Sequence, residues 1–321
     1  MAARLRGADG TAGTGHGIEQ LHIAVVGAGR IGAELIRNLG LMGVGRIDVY
    51  EIDHETADPL RSRYTVFDGD FWDELTLARL QSYDFAVCTI DARAARVRLN
   101  QKCLVANVNL VQAYTAGSLA VVGAYPFAAV PDCACFECDA KRGTTPLPIA
   151  ALRLSVADVG VDAPLDVATA SIAGALAAAL IARVAAGAHG AVARRATLDA
   201  TLGQGTSVEL ARDPDCLRCG ALERPVPIVQ TRNRWSSSST VTRACPEALE
   251  QDLRLSDDIE GFSSPCRVSE LAEHFQGGPI PAKFALTEVG GRTVCLDFEE
   301  LRPERPGDAL TRNAAQRHPS N

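Results

Sequence analysis

The sequence predicts an α/β fold: a Rossmann-like, mostly parallel sheet with a four-cysteine zinc knuckle and a small C-terminal α+β appendage. Three observations predict it. An apolar, mostly β-branched run, Ile23–Val26, enters Gly27-Ala28-Gly29-Arg30-Ile31-Gly32 and then a helix-like segment to Leu41. Two C-x-x-C pairs, Cys135/Cys138 and Cys216/Cys219, stand far apart in the chain. Late in the chain, Phe284–Val289 and Thr293–Phe298 flank Gly290-Gly291, a hairpin signature.

The first of these organises the rest. Gly43-Val44-Gly45 breaks the helix, and Ile47–Tyr50 forms a second strand ending in Glu51 and Asp53. Gly27 permits the tight turn, Gly29 lets backbone approach a phosphate, and Gly32 lets helix pack closely on strand. The helix N-terminus offers unpaired N–H groups and a positive dipole end to phosphates. Glu51 or Asp53, ending the second strand, is placed to accept hydrogen bonds from ribose hydroxyls. The competing reading is a glycine turn used only for helix packing.

A formal net charge of -7 argues against a nucleic-acid or anionic-membrane surface, which needs a basic excess. Met1–Gln20 is rich in Gly, Ala and Thr and lacks the apolar run of a signal peptide, so a mobile tail is expected there. Ile172–Val184 is short, Ala-rich and interrupted by Arg183, which favours a buried helix over a membrane span of roughly 20 residues. Ten cysteines without a secretory signal point to thiols or metal ligands in a reducing, cytoplasmic setting.

After Asp53 a polar connection, His54–Asp70, carries Pro59, Arg61 and Arg63. Phe71–Gln81 reads as one short helix and Phe85–Ile90 as an apolar strand. Asp91 follows at the strand's C-terminal end, the edge where open α/β sheets bind ligands. It also stands where it could cap the next helix, Ala92–Cys103, whose arginines are expected on one side. Asn107–Val111 and Ser118–Tyr125 read as strands, followed by a Pro- and Thr-rich loop to Pro148. A helix is expected from an Asp166 cap to about Ala186, stopped by Gly187, then strand, turn and strand over Leu198–Leu210. The expected divisions are a tail (1–20), a nucleotide-binding domain with its knuckle (21–222), a linker (223–240), an appendage (241–302) and a disordered tail (303–321). Ser269–Phe275 is the appendage's expected helix, and no internal repeat is present.

Each C-x-x-C pair can present two thiolates on one side of a tight turn, and two pairs complete a tetrahedral zinc site. Four thiolates leave no open coordination position, so this Zn²⁺ would be structural. Cys133 could replace Cys135 as a ligand. Ordinary buried thiols and a redox pair are the alternatives, the latter weakened because neither pair opens a helix in a thioredoxin-like βαβ unit. Cys88 and Cys103 read as core, and Cys245, Cys266 and Cys295 carry no spacing signal.

Taken together, VVGAGRIG, LMGVGRIDVYEID, VCTIDARAARVRLNQKCL and the two cysteine pairs resemble the ThiF/MoeB/HesA family, bacterial relatives of ubiquitin-activating enzymes, over roughly residues 20–222. The resemblance implies ATP and Mg²⁺ as cofactors and adenylation of the C-terminal carboxylate of a ubiquitin-like carrier protein or a peptide, by a homodimer. It assigns Gly27, Gly29 and Gly32 to the phosphates, Glu51 to the ribose and Asp91 to Mg²⁺, a hard ion that suits a carboxylate.

The sequence also departs from the family. The usual Asn-Leu-x-Arg-Gln-like segment is replaced by Asp58-Pro59-Leu60-Arg61-Ser62-Arg63, so Arg61 or Arg63 would fill the arginine role. No lysine stands between that segment and Asp91, and Leu152–Val161 lacks the cysteine of sulfur-transferring members. The N-terminal arginine segment that reaches a partner subunit's site is absent. A second reading is therefore a catalytically weak relative that binds a peptide or protein and presents it to another enzyme. A third, a nicotinamide- or flavin-dependent oxidoreductase, would need an acid or base near the cofactor, where only His22 and His54 lie close in sequence.

Overall fold

The computed structural model describes residues 17–138, 167–187, 192–220, 222–230, 247, 251–257, 265–267, 269–270, 274 and 282–299. Expectations for the outer tails, the loop through Pro148, the Asp166 cap, the serine run at 236–239 and most of the Ser269–Phe275 helix fall outside them.

The principal sheet has eight strands in the order β3-β2-β1-β4-β5-β6-β7-β8. They are β1 (His22–Val26), β2 (Arg46–Glu51), β3 (Thr65–Asp68), β4 (Phe85–Cys88), β5 (Asn109–Ala116), β6 (Leu119–Tyr125), β7 (Arg194–Asp199) and β8 (Gln204–Glu209). Pairings from β3 to β5 are parallel, and those from β5 to β8 antiparallel. The helices are α1 (Arg30–Leu41), α2 (His54–Ala57), α3 (Phe71–Glu74), α4 (Leu77–Leu80), α5 (Arg93–Ala106) and α6 (Val167–Ala185).

Strand alternation divides the core. Ile23, Val25, Phe85 and Val87 face α1 and α6, whereas Ala24, Val26, Ala86 and Cys88 face α5 and the cysteine knuckle. α1 presents Ile31, Leu35, Ile36 and Leu39 to the sheet, and each fully buried Leu contributes roughly 1.5–3 kcal/mol. α6 lies against α1 with Gly174 at the crossing, where a Cβ would stand 2.9 Å from both Ile31 O and Leu35 N. By length and composition α6 is long and apolar enough to cross a membrane. It is longer than the apolar run read from the sequence, yet here Ala170, Ala173, Ala177 and Ile181 are buried against the sheet and α1.

Local chemistry explains several departures from expectation. Ile18–Gln20 forms a 3-10 turn packed so closely on Gly45 that a Cβ there would meet Glu19 O at 2.0 Å, so this end of the expected tail is structured. The polar connection after Asp53 includes β3, whose half-buried residues gave only a weak apolar signal. The single helix expected over Phe71–Gln81 is two, because Leu75 leaves helical geometry (ψ 79°) and Thr76 starts α4 by accepting from Arg79 N at 3.2 Å. The arginines of α5 are not on one side: Arg96 is buried and Arg98 exposed.

A second sheet, ordered β10-β11-β12-β9, contains β9 (Ile228–Gln230), β10 (Arg254–Leu255), β11 (Phe284–Val289) and β12 (Arg292–Asp297). Gly290 (φ 57°) and Gly291 (φ 76°) make the hairpin turn, which demands positive φ at both positions. Within the expected linker, Ile228–Gln230 pairs in parallel with Cys295–Asp297. Short, with its burial supplied by β12, this strand had no local pattern to reveal it.

The second sheet docks through the break between α3 and α4. The break frees Trp72 O and Leu75 O, which accept from Lys102 Nζ at 2.9 and 2.6 Å, and Leu77 N, which donates to Glu299 Oε2 at 2.9 Å. Lys102 and Glu299 pair at 3.1 Å, both buried. Trp72 adds a ring contact to Phe284 and an Nε1–H bond to Asp257 at 2.9 Å, and Lys283 pairs with Asp73. Breaking a buried pair by removing one partner costs about 3–5 kcal/mol. Glu299→Ala should therefore lower the unfolding free energy by that amount in urea titration, and a loss below about 1 kcal/mol would mean the pair does not hold the sheet.

Candidate functional site

The principal sheet reverses its direction of growth between β1 and β4, and the strand ends on the C-terminal side of that crossover frame one site. Gly27 turns the chain at φ 91°, its N–H donating to Tyr50 O at 2.9 Å. Thr89 Oγ1, just beyond β4, donates to Gly27 O at 2.7 Å. A Cβ on Gly32 would lie 2.2 Å from Gly27 O, so only glycine lets α1 begin this close to the turn. Gly29 caps α1 and has nothing among the described residues within 4 Å of its would-be Cβ, an open cradle over the first helical turn. That space at the N-terminal, positive end of the α1 dipole fits a phosphate.

Glu51, ending β2, braces this turn. Its Oε2 accepts from Ala28 N at 2.6 Å and its Oε1 from Asp53 N at 2.9 Å. Asp53 is used differently: it caps α2, accepting from Glu55 N at 3.1 Å and Thr56 Oγ1 at 2.7 Å, and these bonds lower its pKa. Asp68 pairs in register with Glu51. Arg61 reaches this edge but is engaged there by Asp68 and, at 3.0 Å, by Asp58. Arg63 is exposed.

Asp91 lies at the end of β4, two residues beyond Thr89. It does not cap α5, whose N-cap is Ala92 with no side-chain bond. It is open to solvent but walled on one side, and this partial desolvation raises its pKa against the opposing pull of Arg96 and the Thr115 backbone N–H. The structure thus brings Gly27, Gly29, Gly32, Glu51 and Asp91 to one sheet edge, with Arg61 at its margin.

The four expected metal ligands converge on the α5 face. All sulfurs of Cys135, Cys138, Cys216 and Cys219 lie within 4.8 Å of one another, and all four residues are buried. Cys135 Sγ is 3.8 Å from both Cys138 Sγ and Cys216 Sγ, and Cys138 Sγ is 3.3 Å from Cys219 Sγ. At a Zn–S distance of about 2.3 Å, tetrahedral sulfurs stand about 3.8 Å apart. The cluster therefore fits a metal with four thiolates and no open position. Hydrogen bonding among the four sulfurs lowers the Cys138 and Cys216 thiols and raises those of Cys135 and Cys219, so the close-set sulfurs share their protons unevenly. Cys133 stays outside the cluster, its Sγ donating to Ala134 O at 3.2 Å.

Two arginines that sequence reasoning passed over set the knuckle's backbone. Arg212 donates to Cys219 O at 3.1 Å and Leu222 O at 2.8 Å and pairs with Asp132 at 2.8 Å. Arg224 donates to Cys133 O at 2.8 Å and to Pro131 O. Thr89, Arg96 and Tyr114 were also missed. Arg96 had a signal, since it stands in the first turn of α5 inside the family-like stretch, but its burial was not legible.

The model of the ThiF family matches residues 60–218, and this part of the chain is a ThiF-family domain. The match begins after the glycine turn. Among solved structures, Escherichia coli MccB with MccA-N7isoASN is similar with a TM-score of 0.50 at 17% identity, over 63% of this chain and 68% of that one. MccB with ATP is similar with a TM-score of 0.49 at 18% identity, over 63% and 68%. At 17% identity the likeness to the first of these is one of fold.

The geometry predicts about one zinc per chain by metal analysis. Cys216→Ser should release it and lower the melting temperature, whereas a folded wild-type chain free of metal would remove the knuckle.

Proposed function

We propose that this chain adenylates the C-terminal carboxylate of a peptide or ubiquitin-like carrier protein, using ATP and Mg²⁺. The carrying observation is the convergence of the open Gly29 cradle, Glu51 and Asp91 on the crossover edge of a ThiF-family domain. In this reading Gly27, Gly29 and Gly32 shape the phosphate cradle, and Glu51 holds the turn while its remaining lone pairs face the ribose. Asp91 would hold Mg²⁺, which supplies charge neutralisation to the phosphates when bound. The substrate carboxylate oxygen bonds to the α-phosphorus, the α–β anhydride bond breaks, and pyrophosphate departs with the electron pair. This chain's residues mainly position the reactants, which is the larger part of what such a transfer requires. By the same family resemblance we infer a cytoplasmic homodimer.

A second reading, a peptide-presenting module with weak or no catalysis, is favoured by one specific observation. Tyr64–Ile90 contains no lysine, and Arg61 is already engaged by two aspartates.

Thermal shift separates the two. A ligand at 100 times its Kd adds about 2.7 kcal/mol, so Mg²⁺-ATP should stabilise the wild type but not Asp91→Ala, with no effect from NAD or NADP. Equal stabilisation of the variant would remove Asp91 from the site. No response to Mg²⁺-ATP would sustain the presenting module instead.

A further inference from the structure

One buried cation beside the proposed site has unspent hydrogen-bonding capacity among the described residues. Arg96, near the start of α5, is 9% exposed, and its Nε and Nη1 have no hydrogen-bond partner among the described residues. Its guanidinium carbon lies 3.8 Å from the Tyr114 ring centre and 5.7 Å from that of Phe136, so the side chain packs on Tyr114 with Phe136 beside it. A second buried donor, Asn100 Nδ2, one turn further along α5, is also without a partner among the described residues. A guanidinium does not escape burial by losing its proton, and an unpaired buried charge is costly. Burial presses its pKa downward, and the groups that oppose this are Tyr114, Cys88 and Asp91. The arrangement calls for an anion.

Its place in the fold selects which anion. Gly27–Gly32 lead into α1 on one face of the sheet, where the phosphates would lie. Arg96 stacks on Tyr114 and Phe136 on the opposite face, that of Cys88 and the knuckle, with Asp91 at the edge between. Resting on the adenylation reading above, we propose that Arg96 binds the carboxylate of the acyl substrate and holds it beside Asp91, facing the α-phosphate. Two carboxylates at one edge repel, and the buried guanidinium offsets that repulsion with charge-assisted hydrogen bonds. Arg96 moves no proton in the transfer. Its contribution is ground-state binding of the acid in the orientation needed for attack.

The test uses the full chain with acetyl-glycyl-glycine as the probe and its C-terminal amide as the control. The Arg96 Nε–H resonance is identified in ¹⁵N spectra by its loss in Arg96→Gln. Acetyl-glycyl-glycine should shift that resonance and bind at least about tenfold tighter than the amide. Arg96→Gln should abolish this preference, Arg96→Lys should keep part of it, and Mg²⁺-ATP should stabilise both variants as it does the wild type. If Arg96→Gln fails to fold, the resonance assigned through Arg96→Lys decides. Equal binding of acid and amide, or no binding of either, overturns the proposal while Mg²⁺-ATP stabilisation leaves the adenylation reading standing. A shift of the Arg96 resonance by Mg²⁺-ATP but not by the acid assigns Arg96 to phosphate and also overturns it. Acid binding at Arg96 without any Mg²⁺-ATP stabilisation supports the carboxylate site and removes adenylation.

Discussion

The constraint on which the rest of this structure depends is the closeness of Gly32 to the carbonyl of Gly27. No side chain fits between them, so α1 starts directly against the turn that ends β1. Three hydrogen bonds to the ends of two neighbouring strands, β2 and β4, hold the turn: Gly27 N to Tyr50 O, Thr89 Oγ1 to Gly27 O and Ala28 N to Glu51. Because α1 cannot retreat, α6 must lie on it through Gly174. A local steric rule thereby sets the layer that covers one face of the sheet and leaves the first turn of α1 open at the edge.

On the other face α5 is the hub. Arg96 turns toward the sheet edge, Asn100 Oδ1 accepts from Phe136 N at 3.2 Å to seat the knuckle, and Lys102 gathers the carbonyls freed between α3 and α4. One helix thus joins the candidate site, the cysteine cluster and the second sheet. Lys102 cannot serve the site because it is consumed by this work, fully buried and paired with Glu299. Glu299 in turn satisfies Leu77 N, so the two charges meet polar groups on both sides rather than each other alone. The second sheet is in this sense a continuation of the core, with Phe284 and Cys295 packed among residues of α5 and α3.

The parts legible in the sequence were those whose signal is local. The strand, glycine turn and helix at Ile23–Leu41 announce themselves within twenty residues, as does the Gly290-Gly291 hairpin, where backbone geometry admits few alternatives. The cysteine pairs were legible because metal chemistry needs a repeated spacing, even across a long separation. What was hidden depends on partners distant in sequence. β3 and β9 are strands because β2 and β12 pair with them, and the break at Leu75 is tolerated because Lys102 and Glu299 take up its loose groups. Arg96 reads as one more surface arginine of α5 until Tyr114 and Phe136 enclose it.

The charge distribution at the sheet edge bears on how such a site would work. Glu51, Asp68 and Asp91 end three strands on the side that would receive a triphosphate, and Arg61, the nearest expected cation, is divided between Asp58 and Asp68. Exposed ion pairs of that kind are worth little and are readily exchanged, so Arg61 can turn to a phosphate at small cost. The acids Glu51 and Asp91 differ in this respect. Glu51 is held by two backbone N–H bonds and serves the turn itself, whereas Asp91, with its raised pKa, gains from an arriving divalent cation. Without a lysine in Tyr64–Ile90, neutralisation of a triphosphate would fall to that cation, to the backbone at Gly29 and to Arg61 beside β3, leaving Arg96 behind β4 to the acid. A site so arranged would be poor in fixed positive charge on its nucleotide side and carry one buried cation, Arg96, on the other, so its discrimination would rest on the acid it accepts more than on its grip on ATP.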